Sequence, residues 1–314
     1  MNRNTIIALV VLIALMAMVP LTGSTYFIYL ATQIAIFVLF ATSLNLLVGY
    51  GGLVSFGHAA FFAIGGYSCA VLLQTLGLPL LLALPGAMLL TAVLSTIIGF
   101  FCVRLTAYYF SMLTLAFGQL VWAVAFKWRA VTGGDDGFLR IVTPDWLATP
   151  TRFYFFSLVV VIAAMAVLWI VAHSPLGKTM MAIRENETRA GFLGIKTRQV
   201  QLIAFTIAGA FAGLAGGLFA LFNRSIFPNS AWWLQSAEVL IMVVLGGTGS
   251  FFGPLVGAVT LILLNRLTLQ VTEFWPALLA VILIVTLFFF PKGIAGFFGA
   301  KGGVASEPKE KPDA

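Results

Sequence analysis

YFIYLATQIAIFVLFATSLNLLV, residues Tyr26–Val48, contains no Asp, Glu, Lys or Arg, and no proline or glycine. It lies inside a run of a hundred residues, between Arg3 and Arg104, that also lacks all four of those side chains. A run of that length accommodates about four membrane-spanning helices at ~20 residues each. A water-soluble reading would need several fully enclosed helices in succession, none with a solvated face. Composition agrees: 61% of the chain is hydrophobic and 9% charged, against roughly 25% charged in soluble domains. The chain reads as an all-α polytopic integral membrane protein.

Working outward from Tyr26–Val48, apolar runs place further spans at Thr5–Leu21, Ala59–Leu76, Leu80–Val103, Thr106–Phe126, Phe153–Ala172, Val200–Phe222, Ala237–Leu245, Leu255–Leu269 and Phe274–Phe290. That makes about ten transmembrane helices. Ala237–Leu245 is too short to cross unaided and reads as a half-helix or a tilted segment broken by the glycines after it. The first run, after M-N-R-N, resembles a signal peptide, but no small-x-small cleavage site precedes Ser24; it reads as a retained span. With the N-terminus in the cytoplasm and ten crossings, eleven Lys and Arg fall inside and six outside, the sense the positive-inside rule requires. Both termini are then cytoplasmic. Residues 1–300 form one transmembrane domain and the Gly- and Pro-containing tail 301–314 is expected to be disordered. The net charge of +7 reflects orientation in the bilayer rather than nucleic-acid binding.

One polar island interrupts this pattern. His173–Gln199, HSPLGKTMMAIRENETRAGFLGIKTRQ, holds five of the 17 Lys and Arg and two of the ten acids. Ser174 and Pro175 read as an N-cap and first-turn pair, and Gly177–Leu193 as one helix. Gly191 and Gly194 allow close approach or a helix end. Such an insert either docks on a soluble partner or is a solvated connector. Its segment A-H-S-P-L-G-K-T imitates a phosphate-binding loop, yet Ala172 stands where glycine is required and a span, not a strand, precedes it. ATP is therefore expected to be bound by other subunits, with no cofactor in this chain.

Glycine marks three further places. Gly209, Gly213 and Gly217 recur at four-residue spacing, a small-residue face for close helix packing in lipid. Val48–His58, containing Gly51, Gly52, Ser55 and His58, and Leu245–Pro254, containing Gly246, Gly247 and Gly249, combine glycine, aromatics and hydroxyls at or near membrane depth. Unwound backbone there is tolerated where it is buried in protein or lines a wet cavity, and one break in each half points to a transport path; tight interspan turns are the alternative. Glu238, in an otherwise apolar run, either lines that path or pairs with Arg224 or Arg266. His58 reads as a hydrogen-bonding residue, and Cys69 and Cys102 as apolar filler with neither metal nor disulfide spacing. No catalytic constellation appears outside the charged loops, so the chain is not expected to be an enzyme.

Taken in order, Ser43–Tyr67, Thr132–Gly137, Ser174–Lys178, Ala182–Ile195, Ile207–Leu218, Val244–Ala258 and Phe290–Gly296 resemble the inner-membrane permeases of branched-chain amino-acid ABC importers, the LivM type. The resemblance implies that residues 173–199 are a cytoplasmic coupling loop docking on an ATPase subunit. Pro175, Gly177, Arg184, Glu185, Glu187, Ala190 and Gly194 lie in it, with Glu187 and Gly194 in the anchor positions. Thr188 and Arg189 stand where the family has small residues. It further implies a second permease, two ATPases, and a periplasmic binding protein meeting Thr132–Trp146. The alternatives are a related importer for urea, short amides or aromatic acids, and, from another class, a channel or an ion-coupled carrier.

Overall fold

The computed structural model describes residues 16, 19–271, 280, 284, 293 and 294. A 3-10 turn, Val19–Thr22, leads into α1, Thr25–Asn45, which runs on as a π-helical turn, Leu46–Tyr50. There follow α2, His58–Gln74; α3, Leu80–Cys102; and α4, Ala107–Lys127. A connector with β1, Phe138–Leu139, leads to α5, Pro150–His173. The polar island forms α6, Pro175–Glu185, and α7, Glu187–Phe192. The chain continues as α8, Thr197–Asn223; β2, Ser225–Ile226; a 3-10 turn, Pro228–Ala231; α9, Trp233–Gly246; and α10, Gly253–Val271.

Five helical stretches are long and apolar enough to cross a membrane: Thr25–Tyr50, α3, Tyr108–Lys127, α5 and α8. They coincide with five of the expected spans. α2, α9 and the apolar part of α10 are shorter. At about 1.5 Å per residue, the 14 residues of α9 reach roughly 21 Å, less than the ~30 Å hydrocarbon thickness. Nearly all of the expected spans Thr5–Leu21 and Phe274–Phe290, and all of the tail 301–314, lie outside the described residues.

α1 and α8 form the centre: from Ile34 to Val48 every α1 side chain is enclosed. α3 shows how the periphery works. Ala83, Ala87, Thr91, Ser95 and Gly99, one turn apart, turn inward, while Leu82, Leu89, Val93 and Ile97 point out as a lipid face should. The inward stripe meets Gly209 and Gly213 of α8. A Cβ at Gly209 would overlap the Ser95 side chain, one at Gly213 the Thr91 side chain, and one at Gly217 would come 3.0 Å from a Leu84 methyl. The two helices thus run antiparallel at close range. On its other side α8 meets α2, with Gly65 against the Gly213 backbone and Gly216 against the Phe62 carbonyl.

At one end of the bundle β1 pairs antiparallel with β2, Phe138 opposite Ile226 and Leu139 opposite Ser225. Gln74 at the end of α2 donates to the Arg140 carbonyl there, 2.5 Å. The polar island closes the opposite end.

Candidate functional site

The island is built from two caps. Ser174 Oγ accepts from the Leu176 amide, 3.2 Å, and Pro175 fills the first helical position of α6. Asn186 Oδ1 accepts from the Arg189 amide, 2.8 Å, starting α7. The single helix expected over Gly177–Leu193 is therefore two. Asn186 is extended, φ −161°, ψ 102°, because its short polar side chain satisfies the next helix's orphan amide better than it would serve mid-helix. Gly194 ends the pair with φ +82°. The phosphate-loop look-alike joins α5 to α6, helix on both sides.

α6 turns Gly177, Met180 and Ile183 inward. A Cβ on Gly177 would strike the Ala172 carbonyl, so this helix seats directly on the end of α5. α7 buries only Ala190; Glu187, Gly191 and Gly194 are exposed, as is Glu185 at the end of α6. Phe192 and Leu193 are 87% and 77% exposed, two neighbouring apolar side chains on a polar surface. The sequence reading gave them no role, although F-L among charges and glycines was the available signal.

The inner face of α6 meets the first glycine break. Arg184 donates from Nη1 to the Gly49 carbonyl in the π turn. A Cβ on Gly51 would come 2.7 Å from the Met180 methyl, and one on Gly52, at φ +67°, 2.9 Å from Arg184 Cγ. From there the chain does not leave the bundle. Residues 51–57 climb back inside it, held by Leu53 N–H to the Leu47 carbonyl, 3.0 Å, and by Ser111 Oγ to the Val54 carbonyl, 2.7 Å. Phe56 N–H donates to Thr114 Oγ1, 3.3 Å. Gly57 and Gly118 allow this segment to touch α4 backbone to backbone.

α2 consequently starts inside the bundle. His58 is fully enclosed, stacked on Phe40 with ring centroids 5.4 Å apart, and its Nε2 lies 2.9 Å from Ser43 Oγ. The Ala59 amide, in the first turn of α2, donates to Ser236 Oγ, 2.9 Å, in the first turn of α9. Two helices shorter than the long spans, of 17 and 14 residues, thus bring their N-termini together inside the bundle, as discontinuous helices do in transporters. Thr42 Oγ1, Asn45 Oδ1, Ser55 Oγ, His58 Nδ1 and Ser250 Oγ are buried there without a hydrogen-bond partner among the described residues.

The second glycine break packs beside the first. Asn45 Nδ2 donates to the Ser250 carbonyl, 3.1 Å, and Gly49 abuts the Thr248 carbonyl. Gly246 fits against Gly253, Gly247 takes φ +105°, and Gly249 faces open space. Both breaks read G-G-x-x-S-F, at Gly51–Phe56 and Gly246–Phe251, a repeat that could have predicted their neighbourhood. Trp169, stacked on His173 at 3.8 Å, also touches Phe251 and Phe252.

Glu238 stands apart from both turns. It lines a cleft of about 410 Å³ with Trp122, Asn229, Trp232, Leu234 and Gln235. Its carboxylate accepts from Gln235 Nε2, 3.2 Å. The pairing with Arg224 or Arg266 is not formed: Arg224 donates to the Ala148 carbonyl, 3.5 Å, and Arg266 to Gln33 Oε1, 3.0 Å. Both arginines sit where a nearer neutral acceptor is in reach. Among the described residues no group of three or more His, Cys, Asp or Glu side chains could hold a metal.

Short helices that start inside a bundle of long apolar helices, with a capped polar insert seated on one of the glycine breaks, are the build of a membrane transport protein. The sequence model of "Branched-chain amino acid transport system / permease component" matches residues 26–290, and the chain belongs to that family of transport permeases. It is similar to the high-affinity branched-chain amino acid transport system permease protein LivM of Escherichia coli K12, 31% identical over 91% of this chain and 74% of that protein. The LivM of Salmonella typhimurium is likewise 31% identical, over 84% and 69%. The autoinducer 2 import system permease protein LsrC of Photorhabdus laumondii is 27% identical, over 92% and 89%. No solved structure matches the chain.

Proposed function

We propose that this chain is one permease subunit of an ATP-driven importer for branched-chain amino acids in a bacterial inner membrane. The observation that carries the coupling reading is the contact between α6 and the first glycine break, through Arg184 and Met180. Residues 173–199 act as the cytoplasmic coupling loop, with Glu187 and Gly194 at the ATPase contact. Residues 1–300 form a ten-crossing domain with both termini, and the tail 301–314, in the cytoplasm. The second permease completes the pathway, two ATPases bind the coupling loops, and a loaded periplasmic binding protein meets Thr132–Trp146. ATP binding displaces α6; Arg184 carries that displacement into the π turn and its paired glycine turn, and the path past Gly51, Gly52, Ser55, Gly246 and Gly247 alternates between its two sides. The enclosed, unpartnered polar atoms near His58 suit a wet route.

The path itself is a two-state element whose equilibrium the ATPases and the loaded binding protein bias. The LivM relatives support branched-chain amino acids as the cargo. The LsrC relatives, named for autoinducer 2 import, support a second reading, import of a solute other than an amino acid.

The deciding experiment measures ATP hydrolysis in proteoliposomes holding the chain with its co-purifying subunits. The binding protein is added preloaded with leucine, valine, urea or an amide. Stimulation by the leucine- and valine-loaded forms is the expected result. Flux without ATP and without an associated ATPase would replace the importer with a channel or an ion-coupled carrier.

Arg184→Ala removes a charge-assisted hydrogen bond worth about 2 kcal/mol. The expected result is a leucine uptake roughly tenfold lower than wild type, with ATP hydrolysis per complex falling less than twofold. Equal losses in both would mean that Arg184 supports the fold and not the transmission.

A further inference from the structure

The Glu238 cleft is a concavity that the coupling contacts do not use. It opens between α4 and the first turns of α9, with Glu238 half a turn beyond Ser236, the residue that ties α9 to α2. Its volume, about 410 Å³, is in the range of roughly 300–1,000 Å³ typical of small-molecule sites. Its two aromatic walls are already in contact, Trp122 and Trp232 with ring centroids 4.6 Å apart and planes at 61°.

The chemistry of the lining is lopsided. One carboxylate faces the cleft and receives a single neutral hydrogen bond, from Gln235. No Lys, Arg or His forms an ion pair with it among the described residues. A carboxylate at membrane depth without a cationic partner is expensive, and such residues mark substrate or ion pathways. Trp122 is stacked on Phe126, ring centroids 5.2 Å apart, and meets Trp232 edge to face, so it is the Trp232 indole that keeps a face open to attract a cation. Asn229, exposed on the cleft wall, carries an amide whose N–H groups suit an anionic group. Leu234 supplies apolar wall.

We propose that this cleft is a station on the translocation path for a zwitterionic aliphatic amino acid, whose ammonium group lies against Glu238 and the indole of Trp232. The ammonium's three N–H donors meet the oxygens of an acceptor-only carboxylate, so the cargo itself neutralises the charge. The substrate carboxylate faces the Asn229 amide, and the aliphatic side chain lies along Leu234. A neutral solute such as urea brings no positive charge and gains no ion pair here. The assignment rests on the importer reading above and names the chemical class that its path recognises.

The test uses the complete complex in proteoliposomes with leucine-loaded binding protein, and reads leucine delivered per ATP hydrolysed. Glu238→Gln, nearly equal in volume, is expected to lower that ratio at least tenfold, and Glu238→Asp to restore part of it. A partly misassembled population lowers uptake and hydrolysis together and leaves the ratio unchanged. An E238Q ratio equal to wild type overturns the proposal. Absence of ATP-driven leucine uptake by the wild-type complex instead overturns the importer reading. If E238Q fails to assemble, Trp232→Leu decides: a ratio at least threefold below wild type supports the station, and an unchanged ratio overturns it.

Discussion

Gly216→Leu is expected to abolish recovery of a monodisperse, folded chain from membranes, whereas Gly191→Leu leaves recovery within twofold of wild type. At Gly216 a Cβ would lie 2.6 Å from the Phe62 carbonyl carbon and 3.0 Å from Phe62 Cα, and closer still to the carbonyl oxygen. These are backbone atoms and cannot rotate away. α2 and α8 would have to separate, opening the contact that also holds Gly65 against Gly213 and Cys69 against Gly217. Overpacking of this kind costs about 3 kcal/mol, a large part of a total stability of roughly 5–15 kcal/mol. The small-residue contact is also what drives helix association in lipid, where burial of apolar surface contributes little. Gly191 meets nothing within 4 Å, so its replacement adds a side chain to solvent. Size-exclusion profiles of the two variants in the same detergent provide the comparison. Equal profiles would mean that the α2–α8 contact is looser than the structure describes.

The double replacement Phe192→Ser and Leu193→Ser is expected to leave the permease folded and to reduce ATPase co-purification at least tenfold. At 87% and 77% exposure these side chains contribute almost nothing to the internal packing, so their loss is not a stability effect. Fully burying a Phe or Leu in a partner's pocket stabilises by about 2 kcal/mol each, and two such side chains exceed the ~1.4 kcal/mol that a tenfold change in affinity requires. Quantitative pull-down against wild type, with the thermal midpoint of the permease measured in parallel, separates docking from folding. Undiminished co-purification would leave Glu187 and Gly194 as the remaining candidates for the contact and remove the apolar tip from it.

The long spans are legible in the sequence because hydrophobicity alone specifies them, and the glycine ladder of α8 is legible because its four-residue spacing has one geometric meaning. The division of the polar island is not, since most residues from Gly177 to Leu193 are good helix formers and the competition between Asn186's side chain and the backbone decides where the first helix ends. The environment of Glu238 is not legible either. Its arginine candidates are equally basic on paper, and only the fold shows that carbonyl and amide oxygens occupy them first. Trp122 and Trp232 lie 110 residues apart, and no local pattern connects them.

The buried extended segment ahead of His58 has a consequence for biosynthesis. Leu53 is answered at once by Leu47, but the Phe56 amide and the Ala59 amide just beyond it are answered by side chains the ribosome supplies much later: Thr114 follows Phe56 by 58 residues and Ser236 follows Ala59 by 177. When α2 first reaches the translocon, neither of these later partners exists, and exposed peptide groups in hydrocarbon cost several kcal/mol each. This stretch must therefore wait at the lipid–water boundary while the later helices are threaded, and the inner half of the bundle closes around it only near the end of synthesis.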